Sequence, residues 1–279
     1  MPDFFSTLPS AGTVTHGSAT FDLPILYFRD DLFLLFFSAD LAKLKALMPS
    51  DRLHPVRLSG SRGVVGIAAF NYIDTSIGPY GEVGVVVPSV YGDSPPLPVW
   101  PLLREGNLPG FGTLVLHLPV TKTIARDAGR GEWGYTKFVA DMKFRNTPGH
   151  MQVALSEGSE HILTMRVAKK GLAKKDNKPL ITYSVKDGRL IRTTIPQVGT
   201  FRFSLSPAGS FLKLGEHAVA RSIRDLGLSA KPLMSRVFLD RSGILPAGVT
   251  IEEGVRPLEG YDGEDREGEH SVAYREGDA

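Results

Sequence analysis

Glycine and proline interrupt this chain so often that long helices have little room to form. The sequence has 30 Gly and 20 Pro among 279 residues, and the apolar segments between them are short. Segments such as residues 21–29, 64–72 and 82–87 have the length of strands and are bounded by turn residues. From residue 141 to 192, short strand-like segments alternate with charged turns, which is typical of antiparallel hairpins. The pattern predicts an α+β fold that is mainly antiparallel β, and it excludes a coiled coil, collagen and wholesale disorder.

Three segments have helical rather than strand-like patterns. Residues 39–48 place leucines on one face and stop at a proline, and residues 121–128 suggest a short helix. Residues 211–226 carry apolar side chains at helical spacing and are predicted to form the longest helix. Residues 32–38, 114–120 and 237–251 complete the predicted strands.

The absence of cysteine removes several kinds of chemistry at once. A chain with no Cys has no disulfide, no thiolate metal site and no cysteine nucleophile, which fits a reducing cytoplasm. The first ten residues lack the basic and apolar regions of a secretory signal. The longest apolar run, residues 32–37, is far too short to span a bilayer. We therefore expect a cytoplasmic protein with no membrane partner.

Charge is distributed unevenly along the chain. Residues 252–279 hold 10 acidic and 3 basic residues, a net charge of −7, whereas the body holds 29 basic and 20 acidic residues, a net charge of +9. A basic body is typical of a protein that binds anionic substrates, or simply of a solvated surface. The sequence contains no basic run interleaved with aromatic residues, so it does not indicate a nucleic-acid partner. We expect a flexible segment over 1–20, a single domain over 21–253 and a disordered acidic tail over 254–279.

The common catalytic signatures are absent from the sequence. There is no G-x-S-x-G elbow, no phosphate-binding loop and no dinucleotide-binding fingerprint. The seven histidines are scattered without an H-x-x-x-H pair, so we expect no metal and no cofactor.

One lysine lies in an unusual setting. Lys137 falls within the segment GRGEWGYTKFVA, close to Trp133, Tyr135 and Phe138. Lysine amines are poor nucleophiles while protonated, but desolvation favours the neutral amine, which can attack a carbonyl and form a Schiff base. The alternative is a surface lysine whose stem lies on apolar side chains.

Two motifs resemble those of the acetoacetate decarboxylase family. The segment DTSIGPYGE, ending at Glu82, resembles the family's D-T-x-x-G-P-Y-x-E signature. The segment from Gly129 to Lys137 resembles its G-R-E-x-x-G-Y-P-K motif, whose lysine forms the imine. The N-terminal strand after Phe28-Arg29, the segment 212–226 and Ile244-Leu245-Pro246 are also similar, so the resemblance covers roughly residues 20–253. The chain looks like a divergent member.

The resemblance implies a cone-like closed β-barrel with flanking helices, a homo-oligomer, and a pocket that contains Lys137. It implies a lyase that acts on a small oxo acid, with Lys137 as the nucleophile and Glu82 orienting substrate or moving a proton. The alternative for Glu82 is a carboxylate that only closes its turn. An aldolase-dehydratase on pyruvate-like 2-oxo acids, through the same lysine, remains open.

The other candidate residues are assigned to substrate binding. Arg29 could bind the substrate carboxylate or form an ion pair with Asp30, Asp31 or Asp74. Arg130 could approach the anion or anchor the lysine loop. Tyr80, Tyr135 and Trp133 could line the pocket, although core packing is the commoner use of aromatic side chains.

Three departures from the family pattern bear on the reaction. Relative to the family pattern, Phe138 replaces a second lysine, Thr136 replaces a proline, and Ala68 replaces a glutamate. The second lysine is a known means of activating the first, so burial would have to act instead. A non-catalytic barrel that binds a small ligand is therefore a further alternative, and the charged tail leaves a structural assembly subunit as a third.

Overall fold

The computed structural model describes residues 4–104 and 107–271, and strands predominate in it. In chain order the strands are β1 (Gly12–His16), β2 (Ala19–Leu23), β3 (Ile25–Asp40), β4 (Leu53–Pro55), β5 (Arg57–Ser59), β6 (Arg62–Thr75), β7 (Tyr80–Tyr91), β8 (Phe111–His117), β9 (Asp141–Asn146), β10 (His150–Glu157), β11 (Glu160–Ala168), β12 (Leu172–Asp176), β13 (Leu180–Lys186), β14 (Arg189–Ile195), β15 (Gln197–Leu205), β16 (Phe211–Leu214), β17 (Met234–Leu245), β18 (Val249–Glu253) and β19 (His270–Ser271). The helices are α1 (Leu41–Ala46), α2 (Trp100–Leu103), α3 (Thr123–Ala128) and α4 (Ala218–Asp225).

A twelve-stranded sheet organises these elements. Its strands follow one another in the order β12, β15, β17, β3, β6, β7, β8, β13, β14 and β18, while β4 pairs with β7 and β5 with β6. Every pairing in it is antiparallel except that of β8 with β13. A second sheet has the order β16, β11, β10, β9 and β19, and β1 pairs with β2 in a separate hairpin. The α+β, mainly antiparallel prediction is confirmed.

Both faces of the large sheet carry apolar side chains, one towards the main core and the other towards a cavity. Alternate residues of β3, such as Phe33 and Leu35, belong to the main core together with residues of the smaller sheet. Phe33 meets Phe144 of β9 edge to face, with ring centroids 6.2 Å apart. The intervening residues Leu32 and Leu34 point to the opposite face, where they line a cavity. The period of two along each strand thus divides core from cavity.

The closed barrel expected from the family resemblance is wrong for the described residues. The sheet surrounds much of the cavity, but its terminal strands β12 and β18 do not pair with each other. The strands that could have closed the ring have other partners: β14 is bonded to β18 and β15 to β12. The strands β12 and β18 each keep one edge without a strand partner among the described residues, so the sheet remains open.

The segment predicted as the longest helix is divided between a strand and a helix. Residues Phe211–Leu214 form β16 and pair with β11, because Leu212 and Leu214 alternate with more exposed residues. Gly215 follows, where a Cβ would lie 1.8 Å from the carbonyl oxygen of His161. His217 then begins α4, and its Nδ1 accepts a hydrogen bond from the backbone N–H of Val219.

Residues 254–271 lie along the molecule rather than away from it. Tyr261 donates a hydrogen bond to Glu157 at 2.6 Å, and Arg266 binds both carboxylate oxygens of Asp141. His270–Ser271 adds a short parallel strand to β9. The remainder of the expected disordered tail, residues 272–279, lies outside the described residues, as do residues 1–3 of the expected N-terminal segment.

Candidate active site

A cavity of about 1210 Å³ lies on the face of the large sheet opposite the main core. Its walls are mostly apolar side chains from β3, β6, β7, β8, β15 and β17. Among the described residues, the lining also holds seven Lys or Arg residues but only two carboxylates, Glu82 and Asp176. Both the apolar walls and the positive charge suit a ligand that combines an anion with an apolar body.

Lys137 and Glu82 meet inside this cavity. The lysine Nζ lies 2.7 Å from Glu82 Oε2 and donates a hydrogen bond to it. The two side chains are only 6% and 8% exposed, so water does little to screen the contact. The arrangement puts a nucleophile beside a group that can exchange a proton with it, as Schiff-base chemistry requires.

A tight turn orients the side chain of Lys137. Helix α3 runs into a π-helical turn, Gly129–Trp133, which ends at Gly134 with a positive φ of 66°. A Cβ at Gly134 would lie 2.4 Å from the carbonyl oxygen of Val185, so the turn requires glycine there. The lysine side chain then returns over Gly129.

The backbone around Lys137 is held from several directions. Thr136 donates its hydroxyl to the Leu116 carbonyl at 2.8 Å, and Arg130 Nε donates to the carbonyl of Lys137 at 2.5 Å. Trp133 Nε1 donates to the carbonyl of Pro246 at 2.9 Å. These bonds fix the segment without occupying the lysine amine.

Four buried tyrosines surround the Lys137–Glu82 pair. Tyr72 donates its hydroxyl to Glu82 Oε1 at 3.2 Å, and the hydroxyls of Tyr27 and Tyr80 lie 3.0 Å apart. Burial raises the pKa of Tyr27, Tyr72 and Tyr80, and raises the pKa of Tyr135 to about 12. All four phenols therefore remain protonated near neutrality and act as neutral hydrogen-bond donors.

A buried ion pair supports the cavity wall. Arg241 Nε and Nη2 bind the two oxygens of Asp30 at 2.9 and 3.0 Å, and Nη1 donates to Gln197 at 2.8 Å. Burial raises the pKa of Asp30 to about 6, although the guanidinium opposes this shift. Arg241 lines the cavity, where Asp30 balances its charge.

Five of the seven predicted site residues lie in the cavity or next to it. Lys137, Glu82 and Tyr135 line the cavity. Tyr80 lies close behind, with its ring centroid 5.9 Å from Lys137 Nζ, and Trp133 stacks on Tyr135 with centroids 6.1 Å apart.

The two predicted arginines lie elsewhere. Arg130 is not part of the cavity lining, and its bond to the Lys137 carbonyl matches the loop-anchoring alternative. Arg29 is also absent from the lining, and its Nε donates to Asp240 at 2.9 Å. The arginines that line the cavity are instead Arg192, Arg236 and Arg241, which sequence reasoning missed together with Tyr27 and Tyr72. Tyr72 could have been found, since it lies two residues before the D-T pair on the same strand.

The three departures from the family pattern occupy different places. Phe138 points away from the cavity into the main core, where its ring packs edge to face on Tyr261 at 4.8 Å. Thr136 points to the backbone of Leu116. Ala68 alone lies on the cavity wall, so its small side chain leaves space there.

Neither a metal cluster nor a membrane span occurs in the part of the chain that the structure describes. Across residues 4–104 and 107–271, no three His, Asp or Glu side chains are grouped as a metal site would need. Within the same residues, no helix has both the length and the apolar composition of a membrane span.

Known structures share this fold. Acetoacetate decarboxylase from Legionella pneumophila superposes with a TM-score of 0.62 at 18% identity, over 88% of this chain and 93% of that chain. The enduracididine biosynthesis enzyme MppR, complexed with pyruvate, gives 0.58 at 11% identity, over 86% and 92%. An acetoacetate decarboxylase-like enzyme from Sphingomonas wittichii RW1 gives 0.57 at 13%, over 82% and 93%. No curated protein matches the chain significantly.

The sequence itself carries the family relationship. The profile of the family described as Acetoacetate decarboxylase (ADC) matches residues 7–209, which is well over half of the chain and contains both Glu82 and Lys137. The match, with the shared fold, shows that this chain belongs to the acetoacetate decarboxylase family.

Proposed function

We propose that this protein is a lyase that decarboxylates a 3-oxo acid through an imine at Lys137. The observation that carries the proposal is the buried 2.7 Å contact between Lys137 Nζ and Glu82 Oε2 inside the cavity. A proton passed along this hydrogen bond from Nζ to the carboxylate leaves a neutral amine. That amine is then a nucleophile in surroundings that favour uncharged groups.

The steps of the proposed reaction balance without a cofactor. The amine adds to the C3 ketone, and the carbinolamine loses water to give a protonated imine. The C1–C2 bond then breaks, CO2 leaves, and the electron pair of the bond moves into the imine to form an enamine. Protonation at C2 and addition of water release a ketone and the free amine, with Glu82 as the proton carrier.

A second candidate uses the same imine for carbon–carbon bond formation. Here Lys137 binds a 2-oxo acid, and its enamine attacks an aldehyde, after which water is lost. Two observations favour it: a cavity of about 1210 Å³ has room for two reactants, and MppR, which shares the fold, has been crystallised with the condensation product of pyruvate and imidazole 4-carboxaldehyde.

The proposal includes the cellular location and the oligomeric state of the enzyme. A chain without cysteine suits the reducing cytoplasm, and the family resemblance implies a homo-oligomer. Light scattering of the purified protein tests the oligomer, since a monomer mass at micromolar concentration would contradict it.

Intact-mass analysis after cyanoborohydride trapping tests the imine directly. With acetoacetate or pyruvate we expect one reduced adduct per chain, mapped to Lys137. Lys137→Met should abolish the adduct, whereas Lys143→Met, which removes an exposed lysine of β9 outside the cavity lining, should retain it.

Product analysis then separates the candidates. Release of CO2 and a ketone supports the decarboxylase, and condensation with an added aldehyde supports the aldolase-dehydratase. Absence of an adduct with every oxo acid in a broad panel would overturn both and leave a non-catalytic binding protein.

A further inference from the structure

The cavity is a long trough whose walls are ordered by strand register. Glu82 lies in a row of directly paired residues that crosses the sheet through Phe70, Leu32, Phe238 and Phe201. All five line the cavity. Because side chains on one face recur every second residue, successive rows lie two residues apart along each strand. This inner row holds the reacting end of the trough, since Glu82 contacts the lysine amine.

Two further rows continue the trough away from Glu82. The middle row is Gly84, Ala68, Leu34, Arg236 and Phe203. The outer row consists of Val86, Phe36, Met234 and Leu205, with Gly66 between the first two. Every one of these residues except Gly66 lines the cavity. The walls are therefore apolar over most of the length of the trough.

The register also gives the length of the trough. Val86 is four residues beyond Glu82 on β7, which corresponds to roughly 13 Å of strand. An extended chain advances roughly 1.2 Å per covalent bond, so this length accommodates about ten carbon atoms. Acetoacetate itself would fill only the innermost part.

The middle row keeps the trough continuous. Ala68 and Gly84 are directly paired neighbours on β6 and β7, and neither has a side chain large enough to obstruct the trough. A Cβ at Gly84 would already lie 3.3 Å from Leu118 Cδ1. Small residues at this point connect the reacting amine with the outer row.

From these observations we propose that the substrate is an oxo acid with an extended apolar tail of about ten carbons. This inference rests on the proposed imine function and defines its substrate class. The oxo-acid head lies at Lys137, and the tail passes over Ala68 and Gly84 to the row of Phe36, Met234 and Val86. The tail thereby exchanges water for the apolar walls.

Charge along the open edge of the trough fits entry by the acidic head. Leu205 is 70% exposed and Leu172 is 86% exposed, which places the opening of the trough along β12 and the end of β15. Lys174 and Lys175 of β12 also line the cavity, and Lys174 pairs with Phe201 of the inner row. Their positive charge attracts a carboxylate, which then moves inward to the amine.

A chain-length series tests the proposal. Straight-chain 3-oxo acids of increasing length from acetoacetate are compared by kcat/KM, with CO2 release corrected for the uncatalysed rate. Each buried methylene should raise kcat/KM about threefold to fourfold, until the tail reaches the end of the trough. The rise should then stop.

Two substitutions at different depths locate the tail. Ala68→Phe places a ring in the middle row and should lower the ratio of long-chain to acetoacetate kcat/KM at least thirtyfold. Met234→Trp narrows the outer row and should shorten the preferred chain without reversing the preference. Circular dichroism and the urea midpoint show whether each variant is folded. If only one variant is folded, that variant suffices for the test.

The outcomes separate this inference from the proposed function. If oxo acids form the Lys137 adduct but kcat/KM is the same for all chain lengths, the apolar-tail inference is overturned while the imine function stands. If no oxo acid forms an adduct, the function fails and the inference with it. A length preference that both variants leave unchanged also overturns the assigned path of the tail.

Discussion

The side chain of Lys137 passes directly over Gly129. A Cβ at position 129 would lie 2.4 Å from both Cδ and Cε of the lysine, closer than nonbonded atoms can approach. Gly129 has an ordinary helical φ of −66°, so its missing side chain is needed for this contact and not for backbone freedom.

Gly129→Ala should therefore displace the lysine while leaving the fold intact. We expect adduct formation at Lys137 to fall by two orders of magnitude or more, as for misplacement of a catalytic group by about 1 Å. Cyanoborohydride trapping followed by mass analysis measures this. Gly149→Ala is the matched control, because nothing lies within 4 Å of a Cβ there; equal trapping in both variants would contradict the assigned contact.

Phe138→Lys should not supply the activating charge that the second lysine provides in the decarboxylases. The side chain at 138 points into the main core against Tyr261, not towards the Lys137 amine. A lysine there would replace a fully buried ring with a charged group removed from water, and we expect a loss of about 3 kcal/mol or more in the free energy of unfolding. Urea unfolding measures the loss, with Phe138→Met as an uncharged control. Higher kcat with unchanged stability would contradict this placement.

The Asp30–Arg241 pair should show strong energetic coupling. Arg241→Met leaves the Asp30 carboxylate buried without its cation and should cost about 3–5 kcal/mol of unfolding free energy. Asp30→Leu combined with Arg241→Met should cost much less than the two single substitutions together. A double-mutant cycle from urea unfolding measures the coupling, and additive costs would contradict it.

Acid should destabilise the protein partly through His117. Burial lowers the pKa of this imidazole to about 4, and its Nε2 lies 2.9 Å from the Ser222 hydroxyl. Because the folded state favours the neutral ring, this contribution is complete above about pH 6.5 and is lost as the pH falls towards 4. Between pH 6.5 and 5 the loss should reach at most about 2 kcal/mol.

Urea midpoints measured across this pH range test the assignment. His117→Gln should be less stable than the native chain at pH 7 but should lose less stability on acidification. Equal pH dependence in the two proteins would show that His117 does not contribute.

Local patterns predicted much of this architecture. The strands over 64–72 and 82–87 appear within β6 and β7, because alternation and turn residues act over a few neighbouring positions. The segment 211–226 misled for the same reason: its apolar spacing also fits a strand, and pairing with β11, distant in sequence, decided the outcome for Phe211–Leu214. Closure of the sheet likewise depends on distant partners that no local pattern reveals.

In the candidate site, too, local motifs predicted some residues, whereas others depend on strand pairing. Glu82 and Lys137 could be proposed from their motifs, whereas Arg241 could not. The pairing of β3 with β17 shifts register around Arg241, and Asp240 before it has a positive φ of 59°. The pairing of β3 with β6 shifts register on either side of Arg29. Such bulges change which side chains face inward, and they depend on the paired strand rather than on the residue itself.

The packing of residues 254–271 behind the lysine segment has a consequence for synthesis of the protein. Val139 is bridged to Glu264, and Phe138 packs on Tyr261. A ribosome makes residue 137 long before residue 264, so the lysine segment waits for neighbours that emerge more than a hundred residues later. The lysine segment therefore reaches its final packing only after residues 254–271 have been made.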